Sequence, residues 1–295
     1  MSPSGLAKGL LALLGLALVL FTFNHARLLA REAATRRLDQ SREEADRVQA
    51  AVEARVLEEA RRLATAPEVA ASLEHAEPAA AVAATRRQGL EPTIGLQVVS
   101  VDDNLRVTTS GTFKRAEIWD SMREALETGL AAGIERDEES GALAVTAAVL
   151  NRTPGRAATA LAIARPLGPD FVDAVKAATG LDASIYTPDG VRRATTLLDE
   201  DGSRASGEPA ASVPWRRWER RQRAFVTATV SRAAAFDPIR SRQGGVVAVR
   251  ELTAPLDYEL GFRRLAGSRR FLVEVLFLGL AAVMALLLAR SARDR

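Results

Sequence analysis

The sequence contains no cysteine and only two histidines among its 295 residues. Without cysteine, the chain cannot form disulfides, thiolate zinc sites, iron–sulfur clusters or a cysteine nucleophile. Two histidines leave little room for histidine-based catalysis, and the sequence has no phosphate-binding loop or hydrolase motif. We therefore expect no catalytic residues, no metal, no cofactor and no enzymatic activity.

A strong excess of one charge is also missing. The chain has 40 Lys and Arg residues against 37 Asp and Glu residues, for a formal net charge of +3. This balance is too even for a protein that is held on nucleic acid mainly by phosphate contacts. We therefore expect no nucleic-acid partner.

Long runs that lack charge occur near the two ends of the chain. Residues 9–23 contain no charged side chain, and residues 271–289 contain only Glu274. Each run approaches the roughly 20 residues that a helix needs to cross a bilayer. We predict transmembrane helices at residues 1–23 and 266–290, which makes the lipid bilayer a partner. A cleaved signal peptide is the alternative for the first run.

Basic residues at the outer ends of these runs predict the topology. They are Lys8, Arg290, Arg293 and Arg295. By the positive-inside rule, both termini are cytoplasmic, including the short tail at residues 291–295. Arginines also lie at the inner ends of both runs, and taken alone they would keep the middle region cytoplasmic: Arg27, Arg31, Arg36, Arg37, Arg263, Arg264, Arg269 and Arg270. Because long domains translocate largely regardless of their charge, we place this region outside the cytoplasm.

Glycine and proline are absent from residues 16–66, which predicts one long helix ending near Thr65. Its apolar residues recur at spacings of three, four and seven and form one stripe: Leu38, Ala45, Val48, Val52, Val56, Ala60 and Leu63. The stripe needs a partner, which is the rest of the domain, the same helix of a second chain, or both. We therefore expect a homodimer. The helix and a connector occupy residues 24–91.

Two strand-rich units follow, at residues 92–168 and 169–265. The first predicts a hairpin at 96–109, a helix at 117–130 and strands at 133–137, 142–150 and 157–165. The second predicts a helix at 169–178, a hairpin at 182–198, a strand at 223–232, a turn at 237–244 and a strand at 245–252. The repeated plan indicates two small α+β units behind one long helix.

This order resembles the double Cache (tandem PAS-like) sensor domains of bacterial transmembrane receptors. Residues 171–196 match best, with a helix, Thr179-Gly180, a strand and an Asp189-Gly190 turn. Residues 236–249 resemble the final β-hairpin of that family. The resemblance implies an α+β fold in which the long N-terminal helix packs on two PAS-like antiparallel-sheet modules, flanked by two transmembrane helices. It also implies a two-pass protein of the bacterial cytoplasmic (inner) membrane with a periplasmic domain.

The chain departs from such receptors after the second span. Only six residues follow Ala289, too few for the usual cytoplasmic output domain. The expectation is that the protein acts through a separate signalling protein, or that the sequence is the sensor fragment of a longer receptor.

The candidate ligand-binding residues lie around the helix of the first unit. They are Thr108, Lys114, Arg115, Trp119 and Arg123. Arginine pairs with carboxylates through two hydrogen bonds, and an aromatic side chain adds an apolar wall, so a small anionic ligand is one option. The alternative is a solvated basic helix face with Trp119 in the core.

The leading hypothesis is a membrane-anchored extracytoplasmic small-molecule sensor that transmits ligand occupancy by displacing a transmembrane helix. The rival hypothesis is a structural or assembly protein of the cell envelope, in which the Cache-like module binds another protein.

Overall fold

The computed structural model of this chain describes most of its residues. They are residues 3–87, 95–101, 105–113, 118–137, 140–199, 201–205, 225–228, 231–267 and 269–291. The chain divides into two compact units: Met1–Leu38 with Thr227–Ala233 and Ala254–Arg295, and Asp39–Val226 with Ala234–Thr253.

Helix α1 (Pro3–Thr65) ends at the predicted residue. Its apolar stripe is buried at Leu38, Ala45, Val56, Ala60 and Leu63, and half-buried at Val48 and Val52. Proline has no N–H donor and is tolerated in the first turn of a helix, so Pro67 begins a new helix rather than continuing α1. Two short helices follow, α2 (Pro67–Glu74) and α3 (Pro78–Arg87).

The first module is an antiparallel sheet with one helix inserted. Its strands are β1 (Gly95–Val101), β2 (Arg106–Gly111), β3 (Leu130–Arg136), β4 (Leu143–Asn151) and β5 (Ala158–Pro166), with α4 (Asp120–Thr128) before β3. The strand order is β2-β1-β5-β4-β3, and Val98 of β1 lies opposite Leu161 of β5. The central strand, β5, is therefore the last strand of the module in chain order.

Side-chain size alternates across this sheet, as the period of two requires. One face carries large aliphatic side chains such as Val98, Leu161 and Val145. The other face is built from small residues, including Ala144, Ala148, Ala160, Ala162 and Ala164, and packs against α4. The large face buries α2 and α3, because Thr159 donates to the Leu73 carbonyl and α3 contacts β1 and β2.

The second module repeats this order. Helix α5 (Pro169–Thr179) ends at Gly180, whose positive φ of 65° favours glycine. The strands are β6 (Asp182–Tyr186), β7 (Arg192–Thr195), β8 (Phe225–Ala228), β9 (Arg232–Arg240) and β10 (Val246–Pro255), in the order β7-β6-β10-β9-β8. The predicted turn at 237–244 is wrong in its first half, because β9 continues through Asp237 and Pro238 to Arg240. The turn is confined to residues 241–245, where Ser241 N–H donates to the Gly245 carbonyl.

The unit that contains the chain ends is helical. Helix α6 (Tyr258–Ala266) begins at the cap Asp257, whose carboxylate accepts from Leu260 N–H at 2.8 Å. It packs closely on α1, since a Cβ at Gly261 would lie 2.4 Å from the Ala26 carbonyl oxygen. Phe23 lies beside Tyr258, with ring centroids 6.2 Å apart. Helix α7 (Arg269–Ser291) follows.

The predicted α+β class is confirmed, with a long N-terminal helix and two antiparallel sheets. Over the stretches of chain described above, no helix has both the length and the apolar character needed to span a membrane.

Candidate functional site

The central strand of each sheet sends an arginine to helix α1. In the first module, Arg165 of β5 binds Glu59 through two contacts, of which Nε to Oε2 is 3.0 Å. In the second, Arg250 of β10 donates to Asp46 Oδ1 at 2.6 Å. Asp46 and Glu59 are thirteen residues apart, which is about 20 Å along the helix. Both modules are therefore fixed to one rigid element.

The second of these contacts, in which the Asp46 side chain is 69% exposed, adjoins an ion cluster around the buried Arg250. Arg250 is 3% exposed, and Asp237 of β9 lies beside it, 3.8 Å from its Nη2. Arg42 of α1 binds the same aspartate, with Nε 3.0 Å from Oδ1. Burial raises the pKa of Asp237 above its ordinary value, although the two arginines oppose this shift.

A hydrogen-bonded chain lies on the other face of the second sheet. Arg192 of β7 donates to the Tyr186 phenol oxygen from Nε and Nη2, both at 3.2 Å. Tyr186 in turn donates to Glu251 Oε2 at 2.5 Å. Burial, and then the charge of Glu251, raise the pKa of Tyr186, so the phenol keeps its proton and stays a donor.

Hydroxyl groups continue this polar face. Ser184 and Thr195 are buried and joined by a hydrogen bond of 2.7 Å. Thr253 of β10 is also buried, and its hydroxyl has no hydrogen-bond partner within the described ranges. Buried hydroxyl groups are costly unless they are paired, so the Thr253 hydroxyl is the exception among these three groups.

The first module carries fewer polar groups, and they hold the start of α4. Glu135 of β3 accepts from Ser121 N–H at 2.9 Å and from the Thr146 hydroxyl at 2.6 Å. The Gln97 side-chain oxygen of β1 accepts from the backbone N–H of Trp119 at 3.0 Å. A carboxylate at the first turn of a helix is stabilised by the helix dipole, so these groups fix the position of α4 on the sheet.

The predicted ligand residues are only partly brought together. Trp119 is fully buried, edge-on to Phe113 with ring centroids 5.4 Å apart, and its indole N–H has no partner among the described residues. Arg123 is exposed on α4, and Thr108 is half-buried on the edge strand β2. Lys114 and Arg115 lie outside the described residues. The Trp119 ring therefore packs in the apolar cluster between α4 and the first sheet.

The sequence interpretation missed the polar residues of both sheets, namely Gln97, Glu135, Thr146, Tyr186, Arg192, Glu251 and the ion cluster. One signal was available: Glu135, Arg250 and Glu251 are charged residues inside predicted or adjacent apolar strands. A charge within a buried strand usually has a partner, but the partner comes from a distant segment that a single sequence does not reveal.

The turn between β9 and β10 connects the second module to α4 of the first. Gln243 donates to Asp120 Oδ1 at 2.9 Å. Arg242 donates to the Ala132 carbonyl at 2.5 Å and lies 3.4 Å from Glu124 Oε2. A separate contact joins the modules through β7, where Arg193 donates to the carbonyl of Ser140, between β3 and β4, at 3.3 Å. The contacts of Gln243 and Arg242 couple α4 to the two strands that carry Asp237 and Arg250.

Residues 167–256 match the family model described as Single cache domain 3. This range runs from the start of the second module to the end of β10, so that part of the chain is Cache-like in sequence. No curated protein matches the chain.

Several solved structures are similar to the chain at low identity. The ligand-binding domain of the Pseudomonas aeruginosa PAO1 amino acid chemoreceptor PctC, in complex with GABA, is 15% identical over 75% of this chain and 100% of that chain, with a TM-score of 0.41. The sensory domain of the Campylobacter jejuni chemoreceptor Tlp3 is 13% identical over 81% of this chain and 98% of that chain, with a TM-score of 0.42. The periplasmic domain of Vibrio cholerae LuxQ is 9% identical over 75% of this chain and 99% of that chain, with a TM-score of 0.43.

Proposed function

We propose that this protein is a non-enzymatic, Cache-like small-molecule sensor of the extracytoplasmic face of a bacterial inner membrane. The observation that carries the proposal is the Cache match over the second module, taken with the arginine that each module sends to α1.

The proposed ligand contacts are those of the first module, around α4. Arg123, Lys114 and Arg115 supply cationic groups, and Trp119 supplies the apolar wall. Thr108 is left out, because it lies opposite Val98 on the face of the sheet away from α4. The indole N–H of Trp119 is a buried donor without a partner in the described part of the chain. A ligand acceptor at that position would satisfy it, and such differential contact is what a ligand needs to shift a two-state equilibrium.

The contacts described above form a route for transmission. A movement of α4 acts on Asp120 and therefore on Gln243 in the β9–β10 turn. Strands β9 and β10 carry this movement to Asp237 and Arg250, which hold Arg42 and Asp46 of α1. We propose that α1 is displaced in this way, and that two apolar runs at residues 1–23 and 266–290 anchor the protein as a two-pass membrane protein with cytoplasmic termini.

The output side of the proposal rests on the same helix. A homodimer through α1 would bring two such helices together, and a separate signalling protein would receive their displacement. The displacement would favour one of two pre-existing states rather than create a new one.

Calorimetric titration of the full chain in detergent against organic acids, amines and sugars tests the proposal. We expect at least one class to bind, and Arg123→Ala to weaken that binding. Arg36→Ala is the matched control, because Arg36 is an exposed arginine whose carboxylate contact is Glu32 on α1 itself. Binding by no class, or equal weakening by both variants, would contradict the proposal.

A further inference from the structure

A cavity of about 330 Å³ lies where the β9–β10 turn meets the first module. The first module contributes Asp120 and Arg136, and the second contributes Ser241, Gln243, Val246 and Val247. This volume is in the range of cavities that hold small ligands. Among the predicted ligand residues that the structure describes, Thr108, Trp119 and Arg123 do not line it.

Arg136 lines the cavity and has a hydrogen-bond donor that no described protein group uses. Its Nε is enclosed and has no hydrogen-bond partner among the described residues. Its Nη2 lies 3.6 Å from Asp189 Oδ1, which is too far for a hydrogen bond although close enough for attraction between charges. A guanidinium presents five donors in a planar fork that matches a carboxylate, so Arg136 can bind a ligand carboxylate while it keeps its charge contact with Asp189.

The other walls differ in character. Asp120 is nearly buried, and its Oδ1 already accepts from the Gln243 amide, so this carboxylate is engaged with the turn. Val246 and Val247 are half-buried at the start of β10 and present apolar surface. A ligand that fits these walls has one anionic end and a short apolar body.

We propose that this cavity is a second binding site, which takes a small monocarboxylate with a short alkyl chain. The carboxylate binds the Arg136 guanidinium, and the alkyl chain lies against Val246 and Val247. Because the walls come from both modules, the bound molecule joins α4 and β3 to the β9–β10 hairpin. The site is distinct from the proposed contacts of Arg123 and Trp119, and its occupancy is measurable whether or not the chain signals.

The test is calorimetric titration of the full chain in detergent with butyrate, butylamine and butyramide, which share a chain length but differ in charge. We expect butyrate to bind and the amine and amide to bind at least tenfold more weakly, because the cavity offers a cation to the charged end. Butylamine binding as well as butyrate, or no binding of butyrate, would overturn the proposal.

Two substitutions locate the site. Arg136→Gln is expected to weaken butyrate binding by about tenfold to a hundredfold, the loss typical of a hydrogen bond to a charged group. Arg193→Gln is the matched control, because Arg193 also joins the modules but does not line the cavity, and it should leave the affinity unchanged. If Arg136→Gln melts at a lower temperature, Val247→Trp, which fills the cavity, should abolish binding instead. Unchanged butyrate affinity in both cavity variants would refute the site.

Discussion

The two modules share one strand order but differ in what fills the face away from α1. In the first, small alanines lie under Trp119 and Phe113, so the space is filled by aromatic rings. In the second, Tyr186 makes a hydrogen-bonded chain with Arg192 and Glu251, and hydroxyl groups lie beside it. The same topology therefore supports an apolar core in one module and a polar one in the other.

The modules also differ in how they hold α1. The first uses a partly exposed pair, Arg165 with Glu59, whose side chains are 25% and 19% exposed. The second uses a buried cluster in which one aspartate, Asp237, faces two arginines. Because the charges around Asp237 are more buried, separating them costs more free energy than separating Arg165 from Glu59.

The largest expected effect comes from removing the aromatic core of the first module. Trp119→Ala should lower the free energy of unfolding by about 3–5 kcal/mol, because the small residues around it cannot collapse into the space. Val107→Ala on the exposed side of β2 is the control and should change it by less than about 1 kcal/mol. Urea denaturation of both variants gives the comparison, and similar losses would mean that the ring is not a core residue.

The second effect distinguishes the two attachments to α1. Asp237→Ala leaves two arginines without their shared partner and should cost about 3 kcal/mol. Glu59→Ala breaks the more exposed pair and should cost about 1 kcal/mol. Urea denaturation measures both values, and a reversed order would contradict the buried character of the cluster.

A smaller effect tests the polar face of the second module. Tyr186→Phe removes the donor to Glu251 and the acceptor of Arg192, and should cost about 1–2 kcal/mol. Because the ring stays in place, the loss reports the hydroxyl group alone. Thermal unfolding should show this loss, and an unchanged stability would mean that water replaces the phenol without cost.

The smallest effect is the pH dependence of Asp237. Its folded pKa is raised above the ordinary value of 3.8, so the folded state retains the proton longer than the unfolded state does. The stabilisation that comes from tighter proton binding by Asp237 in the folded state is fully present below pH 3.8. It is lost as pH rises through the folded pKa. The stability of the native chain minus that of Asp237→Asn should therefore fall as pH rises through this window, in urea titrations at a series of pH values. A difference that grows with pH would contradict the raised pKa.

The regular elements were largely predictable from local signals. The stripe from Leu38 to Leu63 identified the buried face of α1, and Gly180 identified the end of α5. Strand β9 was mistaken because Pro238 and the adjacent Asp237 favour turns, whereas pairing within the sheet decides their conformation.

The candidate site was less predictable, because its contacts join distant segments. Asp237 and Arg42 are 195 positions apart, and Gln243 and Asp120 are 123 apart. Helix and strand periodicity show which face a residue occupies but not which distant residue it meets. Trp119 illustrates this limit, since the same aromatic residue suits a pocket wall or a core.

Hydrogen exchange along α1 tests most directly the claim that ligand occupancy reaches this helix through the β9–β10 turn. The compound found by calorimetry is added to the full chain, and exchange is followed at residues 39–65. We predict a change in exchange near Arg42 and Asp46 that is lost in Gln243→Ala but retained in Lys176→Ala, which removes an exposed ion pair with Asp182 away from this turn. Binding without any change in the exchange of α1 would contradict the account.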